Sequence, residues 1–218
     1  ENYGRFKDMA LRVDYDLTGR EVLVLDPRYR EVREFLIGLY RDAMEQYGLD
    51  GLKLDFIDCF RFQKGDPPPA EGMDIPVLED AVHRLMREVY AAVTAVKADA
   101  LIEFRQTYVG PVVRTFGNML RVGDCPYSAN SNIRGVAELR LTSDNTAVHT
   151  DMMMWHPETP AEDAAYQLLS GLFAVPQISV LLKSLPQTHL QVLKRFLTYK
   201  KENDAVLLKG EFFSDLPF

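Results

Sequence analysis

The stretch Gly51-Leu52-Lys53-Leu54-Asp55-Phe56-Ile57 decides the predicted fold, because it is too short for a helix and alternates in polarity. We predict a β-strand here. Side chains two apart along a strand point to the same face, so Lys53 and Asp55 share one face and the leucines share the other. A helix that starts at Asp26-Pro27 precedes this strand, and a loop over residues 58–75, rich in proline and glycine, follows it.

Four further strand candidates lie downstream of a second helix, which is predicted from about residue 76 to 97. They are residues 100–105, 118–122, 147–151 and 176–180, with helices near 131–141, 160–172 and 186–199. Strands that alternate with helices indicate parallel pairing and an α/β fold. We predict the C-terminal part of a (β/α)8 TIM barrel, about five of its eight strands, because the complete barrel needs about 250 residues.

The chain is expected to be a piece of a longer protein. Residues 1–203 are predicted to form the partial catalytic barrel. Residues 204–218 are predicted to begin a C-terminal β-sandwich domain, since Val206-Leu207-Leu208 has the character of a first strand. The chain opens with Glu1 instead of Met and closes without a tapering tail, so both ends are interpreted as cuts, with the first three barrel strands upstream.

The composition argues against several functional classes. The 218 residues are 47% hydrophobic and 26% charged, which is ordinary for a globular protein. The formal net charge of -7 disfavours a nucleic-acid partner, because an acidic surface repels phosphate backbones. No apolar run approaches the ~20 residues that span a bilayer, so we expect no membrane partner. The cytoplasm is the favoured location, any targeting segment being upstream of Glu1, and homo-oligomer formation is left open.

Charged residues recur at the ends of the predicted strands. They are Lys53 and Asp55, Glu103 and Arg105, His149 and Asp151, and Arg121 just before Gly123-Asp124. The outward face of a barrel packs on helices and must be apolar, so these side chains are expected to point inward or towards the mouth. Buried unpaired charge is unfavourable, and the carboxyl-terminal mouth is where enzymes of this fold place their chemistry. We therefore predict an active site there.

Two of these carboxylates, Asp55 and Asp124, suit glycoside hydrolysis. That reaction uses a pair of carboxyl groups, of which one attacks the anomeric carbon and the other protonates the departing oxygen and later activates water. One predicted strand separates the two residues, so they are expected to face one pocket across part of the mouth. Lys53 would keep the Asp55 carboxylate ionised and donate hydrogen bonds to sugar hydroxyls.

Several segments resemble a known family. Asp50-Gly51-Leu52-Lys53-Leu54-Asp55 resembles the nucleophile strand of melibiase-type α-galactosidases, glycoside hydrolase family thirty-six. Arg121-Val122-Gly123-Asp124 is similar to the acid/base segment of that family and of the related α-glucosidase and α-xylosidase family thirty-one. Asp26-Pro27 and the stretch from Thr146 to Pro157 resemble bacterial melibiase-like sequences. The resemblance covers nearly the whole chain, and the order of its parts matches.

The resemblance implies a retaining glycoside hydrolase, most closely an α-galactosidase, that acts on an oligosaccharide or glycoside and needs no metal or cofactor. It implies Asp55 as the nucleophile and Asp124 as the acid/base. The implied substrate-binding residues are Lys53, Arg105, Arg121 and Asp151. His149 is added as a hydrogen-bonded wall residue and Trp155 as a sugar platform, a role for which core packing is the alternative.

Other functions stay open at this point. An α-glucosidase or α-xylosidase-type hydrolase or a transglycosidase of the same clan would use the same carboxylates. A non-catalytic sugar-binding fragment is a second alternative. A metal-dependent hydrolase is a third, built on Asp55, Asp58, His149 and Asp151, although the sequence has no H-x-H or H-E-x-x-H spacing. Cys59 and Cys125 are expected to be isolated thiols.

Overall fold

The fold was obtained as a computed structural model, which describes residues 2–214. The described chain divides into two compact units, one reaching to Ile102 and the other beginning at Glu103.

The first unit contains an antiparallel hairpin followed by two packed helices. Its elements are α1 (Asn2–Phe6), β1 (Ala10–Tyr15), β2 (Glu21–Leu25), α2 (Arg30–Tyr47), β3 (Gly51–Lys53) and α3 (Leu78–Val96). The helix α3 buries Leu78, Ala81, Leu85, Met86, Val89 and Val93, which recur every three or four residues and form one face. This face and the buried residues of α2 supply the core of the unit, and α2 packs against α3.

The elements of the second unit are the end of β4 (Leu101–Arg105), β5 (Met119–Arg121), α4 (Ala129–Thr142), β6 (Ala147–Met153), α5 (Ala161–Ser170), β7 (Val175–Ile178) and α6 (Gln187–Lys209). In this unit α-helices alternate with strands from β5 onward, whereas no α-helix separates β4 from β5. The pairs β4–β5, β5–β6 and β6–β7 are all parallel. Within residues 2–214 no helix is both long and apolar enough to cross a membrane.

The five predicted strands form one sheet in the described chain, in the order β3-β4-β5-β6-β7. The amide of Leu101, at the start of β4, donates to the carbonyl of Asp50 at 3.0 Å. A Cβ on Gly51 would lie 2.0 Å from the carbonyl oxygen of Leu101, so only glycine permits this approach. The α/β class is thus confirmed, and the arrangement is consistent with part of a (β/α)8 barrel. The count of eight strands stays a prediction.

The strand β3 is shorter than predicted. It ends at Lys53 instead of continuing to residue 57, and Phe56 adopts a left-handed backbone with φ of 58°. The alternation of polarity extends as far as Leu54, which is buried, whereas Phe56 is 62% exposed. The polarity pattern therefore overstated the length of the strand, because the chain turns at Phe56.

The sequence predicts that α2 starts at Asp26-Pro27, but the helix begins at Arg30. Asp26 is fully buried, and its carboxylate accepts hydrogen bonds from the backbone and side chain of Arg28. The carboxylate oxygens are thus engaged with Arg28, and a turn precedes the helix. Asp26 anchors this turn and does not cap α2.

The segment Val206-Leu207-Leu208 was predicted to start a strand, and this prediction is wrong. These residues continue α6, whose buried positions Leu193, Phe196, Lys200 and Leu207 follow a helical period. Leu207 is buried while Val206 is 73% exposed, so the apolar run belongs to one face of a helix. The C-terminal β-sandwich domain stays a prediction, and its residues 215–218 lie outside the described residues.

Candidate active site

Arg121 lies at the centre of a charged cluster at the carboxyl end of β5. Its side chain is 4% exposed and donates hydrogen bonds to Asp151, which is fully buried, and to Asp124 at 2.8 Å. Its Nε lies 3.7 Å from Oε1 of Glu103, an ionic contact too long for a hydrogen bond. One guanidinium therefore faces three carboxylates, so the cluster carries more negative than positive charge.

Glu103 links this cluster to the next two strands. Its Oε2 lies 3.3 Å from Nδ1 of His149 and 3.4 Å from the amide nitrogen of Gln177. The same Gln177 amide lies 3.3 Å from Nδ1 of His149, so the three polar groups form a closed triangle. Because Glu103 also approaches Arg121, side chains from β4, β5, β6 and β7 are joined in one network.

Asp124 is the most solvent-accessible carboxylate of the three around Arg121, with 67% of its side chain exposed. It lies on the loop directly after β5 and lines a cavity of about 590 Å³ with Arg105, Gly123 and other residues. Gln106 steadies this loop: its side-chain oxygen accepts the amide of Gly123 at 3.1 Å. Asp124 thus combines a fixed cationic partner with access to solvent.

Asp151, in β6, connects that strand to β5, to the loop that follows β5 and to α4. One carboxylate oxygen is bonded to Arg121, and the other accepts the backbone amide of Cys125. The backbone amide of Asp151 itself donates to Oδ1 of Asn132 in α4 at 3.2 Å. Burial, followed by the nearby charge of Asp151, raises the pKa of the Cys125 thiol to about 11. Cys125 is therefore a protonated thiol at neutral pH.

Lys53 and Asp55 form an ion pair in the first unit. Nζ of Lys53 lies 2.9 Å from Oδ2 of Asp55, and the two side chains are 41% and 28% exposed. The other carboxylate oxygen of Asp55 accepts the amide of Phe56 at 2.9 Å, which fixes the carboxylate beside the turn that ends the strand. Both charged groups are partly accessible, and their predicted roles as substrate-binding residue and nucleophile stay predictions.

Trp155 does not join the strand-end cluster. It is 7% exposed and packs in a hydrophobic core with Leu168 and Phe196, while its indole N–H donates to Nδ1 of His189 at 3.2 Å. A sugar ring cannot stack on a side chain that is enclosed in this way. The structure therefore places Trp155 in the core, in line with the packing alternative.

Arg105 lies at the rim of the cavity next to Asp124. It ends β4, pairs in register with Arg121, and its guanidinium carbon lies 5.2 Å from the ring centre of Tyr108. The cation and the aromatic face are close enough to attract each other. This contact orients Arg105 beside the cavity, where the predicted role in binding a substrate hydroxyl stays a prediction.

Two polar residues of the network were not predicted from the sequence. Gln177 occupies the predicted apolar strand 176–180, and Gln106 follows the last residue of β4. The signal for Gln177 was an amide within an otherwise apolar strand. Burying an amide is unfavourable unless it forms hydrogen bonds, so this residue type at this position indicates polar partners nearby. Among residues 2–214, no three His, Cys, Asp or Glu side chains are grouped so as to hold a metal ion.

Comparison with known proteins supports the fold. The chain is similar to part of a solved structure, a cyclomaltodextrinase, with a TM-score of 0.52 and 13% sequence identity. The match covers 88% of this chain and 37% of that chain, so the chain spans little more than a third of that protein. No protein-family model and no curated protein matches the sequence. At this identity the likeness concerns the fold, and the resemblance to family thirty-six stays a prediction.

Proposed function

We propose that the chain is the catalytic part of a glycoside hydrolase that cleaves terminal α-linked sugars with retention of configuration. The observation that carries the proposal is Asp124, an exposed carboxylate that is bonded to the buried Arg121 and lines a cavity at a strand end. The fold supports the same class, since it is similar to part of a cyclomaltodextrinase.

In the proposed mechanism the roles of the carboxylates differ. Asp55 attacks the anomeric carbon and forms a glycosyl ester, while Asp124 gives its proton to the departing glycosidic oxygen. Asp124, now a carboxylate, then takes a proton from water, whose oxygen attacks the anomeric carbon and releases Asp55. Lys53 favours the ionised form of Asp55 that the first step needs.

The buried cluster suits the charge that develops in this reaction. The transition state has oxocarbenium character, so the sugar ring becomes positive. Glu103 and Asp151, which do not take part in proton transfer, outnumber the one guanidinium that they share, so the cluster is electrostatically matched to a cation even while Asp124 is protonated. Arg121 keeps the three carboxylates in place and prevents them from repelling one another.

The sugar is proposed to be α-galactose, on the resemblance to melibiase-type enzymes. The name cyclomaltodextrinase denotes a maltodextrin substrate for the structural neighbour, which makes an α-linked glucoside the second candidate. The two sugars differ in one hydroxyl configuration, so parallel assays with aryl α-galactosides and aryl α-glucosides decide between them.

The test compares three carboxylate variants on aryl glycosides of different leaving-group ability. Asp124→Asn is expected to lower turnover by about 10²–10⁴-fold on a poor leaving group. It should have much less effect on kcat/KM for a dinitrophenyl glycoside, because the dinitrophenolate leaves without protonation and kcat/KM reports the first step. Asp55→Asn should reduce turnover of both substrates to background, because no glycosyl ester can form. Asp144→Asn is the matched control: its carboxylate is 70% exposed, close to the 67% of Asp124, and also faces an arginine.

Azide separates the two roles further. Added to Asp124→Ala it should restore turnover and give a glycosyl azide of retained configuration, because azide replaces water in the second step. Added to Asp55→Gly it should give the inverted product, because azide replaces the nucleophile. The proposal is refuted if the parent protein releases no aryl group from any glycoside, or if Asp124→Asn behaves like Asp144→Asn.

A further inference from the structure

We propose that Tyr127 and His156 form a stacking platform for the leaving-group sugar of the substrate, an inference that rests on the proposed function. The two rings are stacked, with centroids 5.3 Å apart and an angle of 11° between their planes. Both residues are exposed, and Tyr127 has 53% of its surface accessible. Because the two rings stack on each other, each keeps one face free to pack against the apolar face of a pyranose.

A tight turn fixes the position of Tyr127. The amide of Ser128 donates to the carbonyl of Cys125 at 3.0 Å, which closes a β-turn with Pro126 and Tyr127 at its centre. Proline at the first central position restricts the backbone to the conformation that such turns need. Tyr127 is therefore presented by a stiff turn and not by a loose loop.

The loop that carries His156 is bonded to this turn. The amide of Met154 donates to the carbonyl of Pro126 at 2.9 Å. The adjacent Trp155 is anchored in the core through its hydrogen bond to His189. His156 is exposed, and the buried Trp155 beside it holds the loop against the core. The platform thus has a fixed base, which reduces the entropy lost when a ligand binds.

The platform is within reach of the proposed acid/base. Tyr127 follows Asp124 by three residues, which span at most about 11 Å when extended and less across a turn. The leaving group is the part of the substrate that Asp124 protonates, so the sugar next to Asp124 on that side is the one the platform can meet. Trp155, the aromatic residue that the sequence suggested for this task, is enclosed in the core.

The experiment measures how Tyr127→Ala changes the KM for substrates with and without a leaving-group sugar. Melibiose or maltose, whichever the parent protein cleaves, supplies a sugar leaving group, and the corresponding glycosyl fluoride supplies none. We expect the KM for the disaccharide to rise about tenfold and the KM for the fluoride to stay within twofold of the parent. His156→Ala should show the same selectivity to a smaller extent, and Tyr127→Phe should retain the parent KM. Tyr199→Ala is the matched control, since Tyr199 is 52% exposed on α6.

Calorimetric titration of the same proteins with the two disaccharides keeps this inference separate from the proposed function. If the parent protein shows no turnover but binds a disaccharide, and Tyr127→Ala weakens binding about tenfold while Tyr199→Ala does not, the platform is supported and the hydrolase is refuted. If the KM values for disaccharide and fluoride rise equally in Tyr127→Ala, or do not rise, the platform is refuted and the hydrolase stands. If the parent protein neither binds nor cleaves either disaccharide, both proposals fail.

Discussion

Arg121 is buried at the end of β5, and its charge is compensated within the cluster. Asp151, with no exposed surface, and Asp124 both accept hydrogen bonds from it. Removing one member of a buried ion pair leaves the other charged and desolvated. The loss of stability is then larger than the net stabilisation that the intact pair provides. The residue therefore has two effects that a substitution would expose together: it positions the proposed acid/base, and it neutralises a carboxylate that cannot reach water.

Replacing Arg121 with alanine is expected to lower the free energy of unfolding by about 3–5 kcal/mol, because Asp151 would keep a buried charge without its cationic partner. Urea unfolding followed by circular dichroism measures the change. Arg134→Ala is the control, since Arg134 is 77% exposed and pairs with Glu138 one helical turn away, a contact that contributes only about 0.3–0.5 kcal/mol. Equal midpoints for the two variants would contradict the buried ion pair, and Arg121→Lys should fall between them.

At the scale of elements, the contact between α4 and β5 depends on one glycine. A Cβ on Gly135 would lie 2.4 Å from Cγ1 of Val122 and 3.0 Å from Oε1 of Gln106. Val122 directly follows β5, and Gln106 binds the loop that carries Asp124. The helix therefore sits against the strand end at a distance that no larger residue allows, and this close packing supports the loop of the proposed site.

Gly135→Ala is expected to destabilise the protein by about 1–3 kcal/mol, because the added methyl group must displace Val122 or Gln106. Gly38→Ala in α2 is the matched control: the nearest atom to its added Cβ is the end of the Arg41 side chain at 4.0 Å. That variant should be stabilised by about 0.5–1 kcal/mol through helix propensity alone. Thermal unfolding of both variants gives the comparison, and a stabilising Gly135→Ala would show that α4 can move away from the strand.

The sequence predicts the parallel strands better than the N-terminal hairpin. Each predicted strand was short, apolar or alternating, and flanked by turn residues, which is enough to identify a strand of a parallel sheet. The hairpin of β1 and β2 was missed, although Asp16 and Gly19 mark its turn between Val13 and Val22. Leu11 is the one buried residue of its two strands, so the polarity pattern that identifies a core-facing strand is weak there.

The hairpin turn gives a prediction about pH. Hydrogen bonds to the Asp16 carboxylate, first from the side chain of Thr18 and then from the backbone of Arg20, lower its pKa from 3.8 to about 2. The ionised form is thus favoured in the fold. Its stabilising effect is fully present above about pH 4 and is lost as the pH falls through about 2. Carboxyl-carbon NMR should give a titration midpoint near 2 for Asp16, and the difference in stability between the parent and Asp16→Asn should shrink over the same range. A midpoint near 3.8 would contradict these hydrogen bonds.

At the scale of the whole chain, position along the sheet predicts which polar residues contact one another better than residue type does. Arg121, Asp124, His149 and Asp151 were expected to meet because each lies near or just after the carboxyl end of a predicted strand, and the structure brings them together in one network. Trp155 also lies just after a strand, yet it packs in the core. Whether an aromatic residue faces solvent or the core depends on how the following helices pack over it, here α5 and α6, and the local polarity pattern does not contain that information.

The net charge of the chain determines how its solubility depends on pH. With 32 acidic and 25 basic residues the formal charge is -7 at pH 7, and the sequence pI is about 5.2. Mutual repulsion between molecules vanishes where the net charge is zero, so solubility should pass through a minimum near pH 5.2 and rise on both sides. At pH 7 and low salt the protein should bind an anion exchanger and flow through a heparin column. Turbidity measured against pH tests the first statement. Retention on heparin at pH 7 would reveal a basic patch strong enough to override the overall charge, and would reopen the case for a polyanionic partner.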